Sequence, residues 1–464
     1  MVETYETYVR ATPGGDFNLV RVEAVDPDLL VRKAGRAVTN QRPLRVIASD
    51  FEETTPGSGV LRDWTTAHTG TASHTIAAST RTQGGNTLTL VDPDAAGLAL
   101  VKSRPLPGPA NVPQWYTTDE VVLTGSQQIS FVIGSGVTLR AQILVVSTQV
   151  QINATDGLGV QVVGNVNSST NFSSARAFRL GIWYDPRTGT ARFYIFYDDG
   201  AGITRHAYMG QRVNSAGSWP ITYVQINTSQ SASGNASTAR VEGYEVRGVL
   251  HGCSTDLPNN VYDTSPNRFP TQSRYYDSAA ALALRLWGQR EGIVNMAHGG
   301  WAYSTIYGGG LSAYGEDTAT WANMVTALKP KFVVLGSGIN SVQQVILGLS
   351  TMEAIRATAV LMIDAALAAG VGLVVVRNAA PVGGHVAYET SAKLDKVDEW
   401  NAWVNALPTL YPGRVAVSDV WSALVDPAVP RTLLPRYDIG DHLHFTVAGG
   451  EALADADAKA IIER

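Results

Sequence analysis

One cysteine, Cys253, is the whole thiol inventory of this chain, which excludes an internal disulfide and any metal site built on several thiolates. Charge is also sparse: charged residues make up 16% of the sequence, and the formal net charge is −5. The 35 basic residues are scattered and form no cationic stripe of the kind a phosphate backbone requires, so nucleic acid is not an expected partner. No apolar run approaches the roughly 20 residues needed to span a bilayer, and the opening stretch MVETYETYVRATPGGDF has no basic-then-apolar signal sequence.

What the chain does have is apolar material. Hydrophobic residues are 45% of its 464 positions, enough for sizeable cores and more length than one core usually serves, so two or more domains are expected.

Residues 46–246 carry period-two alternation punctuated by Gly, Asn, Asp, Ser and Thr. In AFRLGIWYDPRTGTARFYIFYDDG, Phe178, Leu180, Ile182 and Tyr184 alternate with Arg179, Gly181 and Trp183, and a second alternating run follows the turn DPRTG. This predicts a hairpin of two half-buried strands. NTLTLVD, EVVLTG, QQISFVIG, VTLRAQILVV, GVQVVGNV, PITYVQINTS and TARVEGYEV read the same way. So many short strands with almost no helix-period segment predict an antiparallel β-sandwich or jelly roll. The polar stretch 229–237 reads as a long hairpin loop inside it, and residues 1–45 fit neither texture and read as an arm or attachment segment.

Beyond residue 247 the texture changes. KFVVLG and VGLVVVRNAA are solid apolar runs, the form of strands buried on both faces. Between them TMEAIRATAVLMIDAALAAG places Ile355, Thr358, Met362, Ala365 and Ala369 at helical spacing, with Gly370 as the stop. Strand, helix, strand is the sequence form of a parallel βαβ unit, so residues 247–464 are expected to be α/β.

Four stretches of this half carry candidate chemistry. VRGVLHGCSTD would set Ser254 at the carboxyl end of a strand, where open α/β sheets bind ligands, although a Ser after a Gly is also a common turn or cap. IVNMAHGGW runs into Gly299 and Gly300, whose backbone could approach a developing negative charge or simply turn the chain. KFVVLGSGINS ends a buried strand at Asn340, whose amide could be a second oxyanion donor, although Asn is frequent in turns. In GDHLHF, Asp441 and His444 could pair, the carboxylate fixing the imidazole tautomer. His442 and His444 could instead be half of a metal site, but neither HExxH nor a cysteine cluster accompanies them, so neither metal nor cofactor is expected. His251, His298 and His385 read as solvated or structural.

In this order the four stretches resemble the SGNH hydrolase family, also called GDSL-type esterases and lipases. The resemblance implies a three-layer, flavodoxin-like α/β domain over residues 247–464 with Ser254 as nucleophile and Asp441 and His444 completing a triad. It further implies an oxyanion hole from the Ser254 N–H, the N–H of Gly299 or Gly300, with Gly299 favoured, and the Asn340 amide. Cys253 and Ser341 stand where the family usually has Asp, and neither of those Asp residues is nucleophile, base or donor. A general α/β-hydrolase is disfavoured, since Ser254 lies in no G-x-S-x-G.

The preceding half resembles concanavalin-like jelly rolls, which implies a candidate carbohydrate-binding domain, with Trp183 and Trp219 able to stack on sugars. Together they imply an esterase removing acyl groups, such as O-acetyl, from a polysaccharide or envelope glycan. A binding protein that keeps the hydrolase shape is the alternative. With no signal sequence and no disulfide, an assembled particle such as a phage tail is the expected location, self-association through the N-terminal segment is a further expectation, and secreted and cytoplasmic sites stay open.

Overall fold

The computed structural model describes residues 42–463 apart from 50, 52–60, 62–63, 79–85, 94–96, 107–110, 120, 126–127, 147–148, 166–177, 199–203, 215–219, 229–233, 239, 257–277 and 309–319. Residues 1–41 of the expected arm and Trp219 therefore lie outside the described residues.

The expected hairpin forms with strands Phe178–Asp185 and Thr190–Asp198, paired in register from Phe178 opposite Tyr197 to Asp185 opposite Thr190. Its turn closes because Gly189 takes φ +70, a conformation that L-residues with a side chain avoid, and donates its N–H to the Asp185 carbonyl at 2.9 Å. The hairpin sits in a six-stranded antiparallel sheet ordered Arg45–Ser49, Arg240–Glu245, Gln114–Asp119, Phe178–Asp185, Thr190–Asp198, Thr204–Val213. Its inner face (Tyr116, Leu180, Ile182, Phe193, Ile195) packs on residues of a seven-stranded sheet (Phe131, Ile133, Ile143, Ile226) to make one core. A third, four-stranded sheet adds Ile76, Leu88, Leu90 and Leu123 to it.

Two expectations about this half need correction. Residues 234–237, placed in a hairpin loop by their polarity, belong to a strand Gly234–Thr238 of the four-stranded sheet, whose backbone pairs with Leu88–Asp92 and Val122–Gly125. Ladder hydrogen bonds there outweigh weak side-chain propensity. The hairpin strands are also buried on both faces, and Trp183 is only 2% exposed, which removes it as a sugar platform. The outer face of the six-stranded sheet carries Trp115, Trp183, Tyr194, Phe196 and Tyr244, and these join the core of the α/β half. Gly181 leaves the space that the Trp115 indole occupies on that face. The Tyr244 hydroxyl donates to the Ile293 carbonyl at 3.2 Å, and Arg45 pairs with the buried Glu291 at 2.7 Å, so polar contacts also join the two halves.

The α/β half has five parallel strands, β1 (Gly248–His251), β2 (Ile293–Asn295), β3 (Phe332–Leu335), β4 (Leu373–Arg377) and β5 (Val415–Ser418), in the order β2-β1-β3-β4-β5. Its helices are α1 (Ser278–Trp287), α2 (Tyr303–Gly308), α3 (Trp321–Leu328), α4 (Gly338–Ile346), α5 (Met352–Ala368), α6 (Ser391–Leu410), α7 (Val420–Leu424) and α8 (Val447–Ile462). Residues of α1 and α8 pack on one sheet face with Leu250, Phe332, Val334 and Val375. Residues of α3, α5 and α6 pack on the other with Val249, Val333, Val374 and Val376. Both faces being covered is why these strands are continuous Val and Leu runs.

Helix α5 starts where the Thr351 side chain accepts the Ala354 N–H and stops before Gly370 at φ +90. Its buried stripe is Ile355, Ala359, Met362, Ile363 and Ala366, so the expected Thr358, Ala365 and Ala369 lie at the flank of the stripe. No helix among the described residues is long and apolar enough to cross a membrane.

Candidate active site

In a sheet of this order the chain reverses its winding between β1 and β3, and the crevice outside the carboxyl ends of those strands is the natural ligand position. Ser254 follows β1, Gly299 follows β2 and Asn340 follows β3, so three of the four stretches arrive there by topology alone.

The fourth arrives from the far end of the chain. Ser254 Oγ lies 3.0 Å from His444 Nε2 across 190 residues of sequence. On the other side of the ring, His444 Nδ1 lies 2.6 Å from Asp441 Oδ2. The segment holding them is irregular and is shaped by two carboxylates. Asp441 Oδ1 accepts the N–H groups of Leu443 and His444 at 3.0 and 2.8 Å, and Asp438 Oδ1 accepts those of Gly440 and His442 at 2.8 and 2.9 Å. Thr446 then caps α8 through the Gly449 N–H. Burial opposes ionisation of Asp441, but hydrogen bonds from the His444 backbone and ring and the Leu443 N–H outweigh it and hold the carboxyl below its ordinary range. An ionised Asp441 accepting at Nδ1 makes that nitrogen the protonated one and leaves Nε2 as the acceptor facing Ser254.

His442 takes a different partner. Its Nδ1 is 2.7 Å from Asp438 Oδ2, and its φ of +60 turns it away from the course of its neighbours. The two imidazoles of DHLH thus belong to two separate carboxylate pairs, not to one metal half-site.

Around the serine, a short 3-10 turn spans Ser254–Asp256. Cys253 is fully buried, and burial with the nearby Asp256 charge pushes its thiol up to about 11, so at neutral pH the thiol stays protonated, while Ser254 beside it is only half-buried. The backbone N–H groups of Ser254 and Gly299 have no acceptor among the described residues. Gly299 is buried, while Gly300 is exposed with φ +77. Asn340 Nδ2 donates to the Trp301 carbonyl at 3.1 Å, which orients the amide and leaves its second hydrogen.

Three histidines set aside in the sequence have differing surroundings. His298 stacks on Trp301 with ring centroids 3.9 Å apart, and His251 lies on that indole too, both rings buried. His385 lies at the site, in a loop whose Gly384 is packed on the His442 ring and whose Tyr388 hydroxyl donates to the Ile339 carbonyl at 3.2 Å. Burial lowers its pKa, with His444 and His442 adding to that and Asp441 opposing it. A His inside the Gly-rich PVGGHV loop just past a buried strand was the sequence signal for it.

No family model matches the chain, and no curated protein matches it. Among solved structures it is similar to a putative acylhydrolase from Bacteroides fragilis at 17% identity, covering 47% of this chain and 86% of that one with TM-score 0.34. It is also similar to a GDSL-like lipase from Bacteroides thetaiotaomicron at 15% identity, covering 46% and 87% with TM-score 0.33. A catalytic mutant of an acetylxylan esterase from Geobacillus stearothermophilus matches at 17% identity, covering 47% and 94% with TM-score 0.35.

Proposed function

We propose that residues 247–464 are a serine ester hydrolase of SGNH type, in which Ser254, His444 and Asp441 act as nucleophile, general base and orienting carboxylate. The single observation behind this reading is the Ser254 Oγ to His444 Nε2 distance of 3.0 Å, with Asp441 behind the ring at 2.6 Å. A serine hydroxyl needs an adjacent base to attack a carbonyl at neutral pH, and a base needs a partner that fixes its tautomer.

The chemistry follows from these positions. Ser254 Oγ bonds to the ester carbonyl carbon while its proton passes to His444 Nε2. The negative charge that grows on the carbonyl oxygen is met by the Ser254 and Gly299 N–H groups and the free hydrogen of the Asn340 amide. The C–O bond to the alcohol breaks as His444 returns the proton to the leaving oxygen. Water, giving a proton to His444 Nε2, then attacks the acyl carbon; the bond from that carbon to Ser254 Oγ breaks as His444 returns the proton to Oγ, and the acid leaves.

The finer reading is that the ester is a small acyl group, such as O-acetyl, on a polysaccharide or envelope glycan, and that the antiparallel half is a jelly roll that docks on the polymer. The two facing sheets of that half support the jelly roll, but the burial of Trp183 moves any sugar-binding surface away from the face first considered. A virion location, as in a phage tail, and self-association through the N-terminal segment are parts of the same proposal and rest on the sequence alone.

The experiment is labelling with a fluorophosphonate followed by mapping of the modified residue, beside p-nitrophenyl acetate turnover. Parent protein labelled at Ser254 and a silent Ser254→Ala variant are expected. A parent that neither labels nor turns over would leave the alternative of a binding protein with a hydrolase shape.

A further inference from the structure

Two residues beyond the nucleophile, the side chain of Asp256 is completely buried. Its Oδ2 accepts the N–H of Cys253 at 3.3 Å, and its Oδ1 is ion-paired with Nη1 of Arg377, the last residue of β4. The opposite edge of the same guanidinium meets Asp457 of α8, Nε to Oδ1 at 2.9 Å and Nη2 to Oδ2 at 2.5 Å, and Asp457 is also fully buried. The main chain of Asp256 is held as well, its carbonyl accepting from Ser278 Oγ at 3.2 Å and Asn295 Nδ2 at 3.1 Å.

The space for this carboxylate is built into two strand ends. A Cβ at Gly252, just past β1, would collide with the Asp256 carboxylate. One at Gly336, just past β3, would stand 2.8 Å from Asp256 Oδ2 and 2.7 Å from Arg377 Nη1.

Two carboxylates around one guanidinium, all out of solvent, are a poor way to gain stability, because desolvation consumes most of the attraction and apolar replacements often fold as well or better. What such a cluster does supply is fixed geometry. Asp256 closes the turn that carries Ser254, and Asp457 belongs to the helix that begins just past His444. Arg377 therefore ties together the two pieces of chain whose side chains must meet.

We propose that Asp256, through the Cys253 N–H and its own pair with Arg377, is a positioning residue that sets the Ser254 hydroxyl against His444. The role rests on the hydrolase reading above. Asp256 touches neither substrate nor the reacting atoms. It acts through the Cys253 N–H and the turn.

The test compares Asp256→Asn with Asp457→Asn in the full chain. Each removes one buried carboxylate charge from the same guanidinium. The Cys253 N–H and Arg377 meet different oxygens of Asp256, so an amide at position 256 turns an NH₂ group towards one of these donors, whereas the Asp457 change leaves both contacts of Asp256 in place. With p-nitrophenyl acetate, Asp256→Asn is expected to lower kcat about 100-fold, the loss typical of a misplacement of roughly 1 Å, with KM within about twofold. Asp457→Asn should lower kcat less than about fivefold at a comparable drop in melting temperature.

Amide hydrogen exchange of the 250–256 segment gives a readout that needs no turnover: faster exchange in Asp256→Asn and parental exchange in Asp457→Asn are expected. Parental kcat in Asp256→Asn, or equal losses of kcat and exchange protection in both variants, would overturn the proposal. If the parent itself were unlabelled by fluorophosphonate, the hydrolase reading would fall, and unequal exchange would still identify Asp256 as the anchor of the turn.

Discussion

The two halves of the molecule each contain a sheet covered on both faces, but they reach that state by different chemistry. The parallel sheet is covered by its own helices and is almost purely aliphatic, as in the Val374, Val375 and Val376 of β4. The six-stranded antiparallel sheet has an aliphatic and aromatic inner face, while its outer face, rich in Trp and Tyr, is covered by the α/β half. Aromatic rings with a polar tip suit a surface that must pack and still satisfy hydrogen bonds, as Tyr244 does. Aromatic residues on the solvent-facing side of a predicted strand therefore signal a covered surface as readily as a sugar site.

Three changes would break or sharpen this contrast. The largest effect belongs to the α/β half. Asp441→Asn keeps an oxygen for the Leu443 and His444 N–H groups but no longer favours the Nδ1-protonated tautomer, and kcat should fall about 10⁴-fold with the fold intact.

The same variant tests a pH dependence. The Asp441 carboxyl is held below its ordinary value, so its contribution to stability is present above the unfolded value and lost as pH falls through the folded one. The melting-temperature gap between parent and variant should therefore hold above about pH 5 and narrow as pH falls below about 4. A gap constant over that range would mean that the hydrogen bonds to Asp441 contribute nothing to folding.

Next is Trp183→Ala on the covered antiparallel face, which should cost about 3–5 kcal/mol in denaturant unfolding while leaving kcat per folded molecule unchanged. A loss of glycan binding without a loss of stability would restore Trp183 as a ligand residue. The smallest effect is Tyr244→Phe, which deletes the bond to the Ile293 carbonyl and should cost about 1 kcal/mol by the same measurement.

Much of the fold was legible because local periodicity reports which faces of an element are apolar. The hairpin at 178–198, the strand KFVVLG and the helix after it form close to their expected limits, while the run VGLVVVRNAA is strand only over Leu373–Arg377. Residues 234–237 were not legible, since Gly, Asn, Ala and Ser carry little strand preference and their place comes from backbone pairing with strands more than a hundred residues away in sequence. Arg377 was hidden for another reason: a cation ending a solid apolar strand looks like solvent contact, and only the fold puts Asp256 and Asp457 around it. Asp457 did leave a trace, as an acid on the buried Leu453, Ala454, Ala458, Ile461 stripe of α8.

By itself the sequence determined the two textures, the strand and helix content that follows from them, and the identity of the polar residues at the strand ends. Side-chain periodicity and turn chemistry act over a few residues, so they are written locally. Only the tertiary structure decided which surfaces meet. It brought Ser254 and His444 within hydrogen-bonding distance, gave the two histidines of DHLH different carboxylates, and buried the outer aromatic face of the antiparallel sheet. Each of these depends on the relative placement of segments far apart in the chain, which packing of the whole molecule sets and no local pattern encodes.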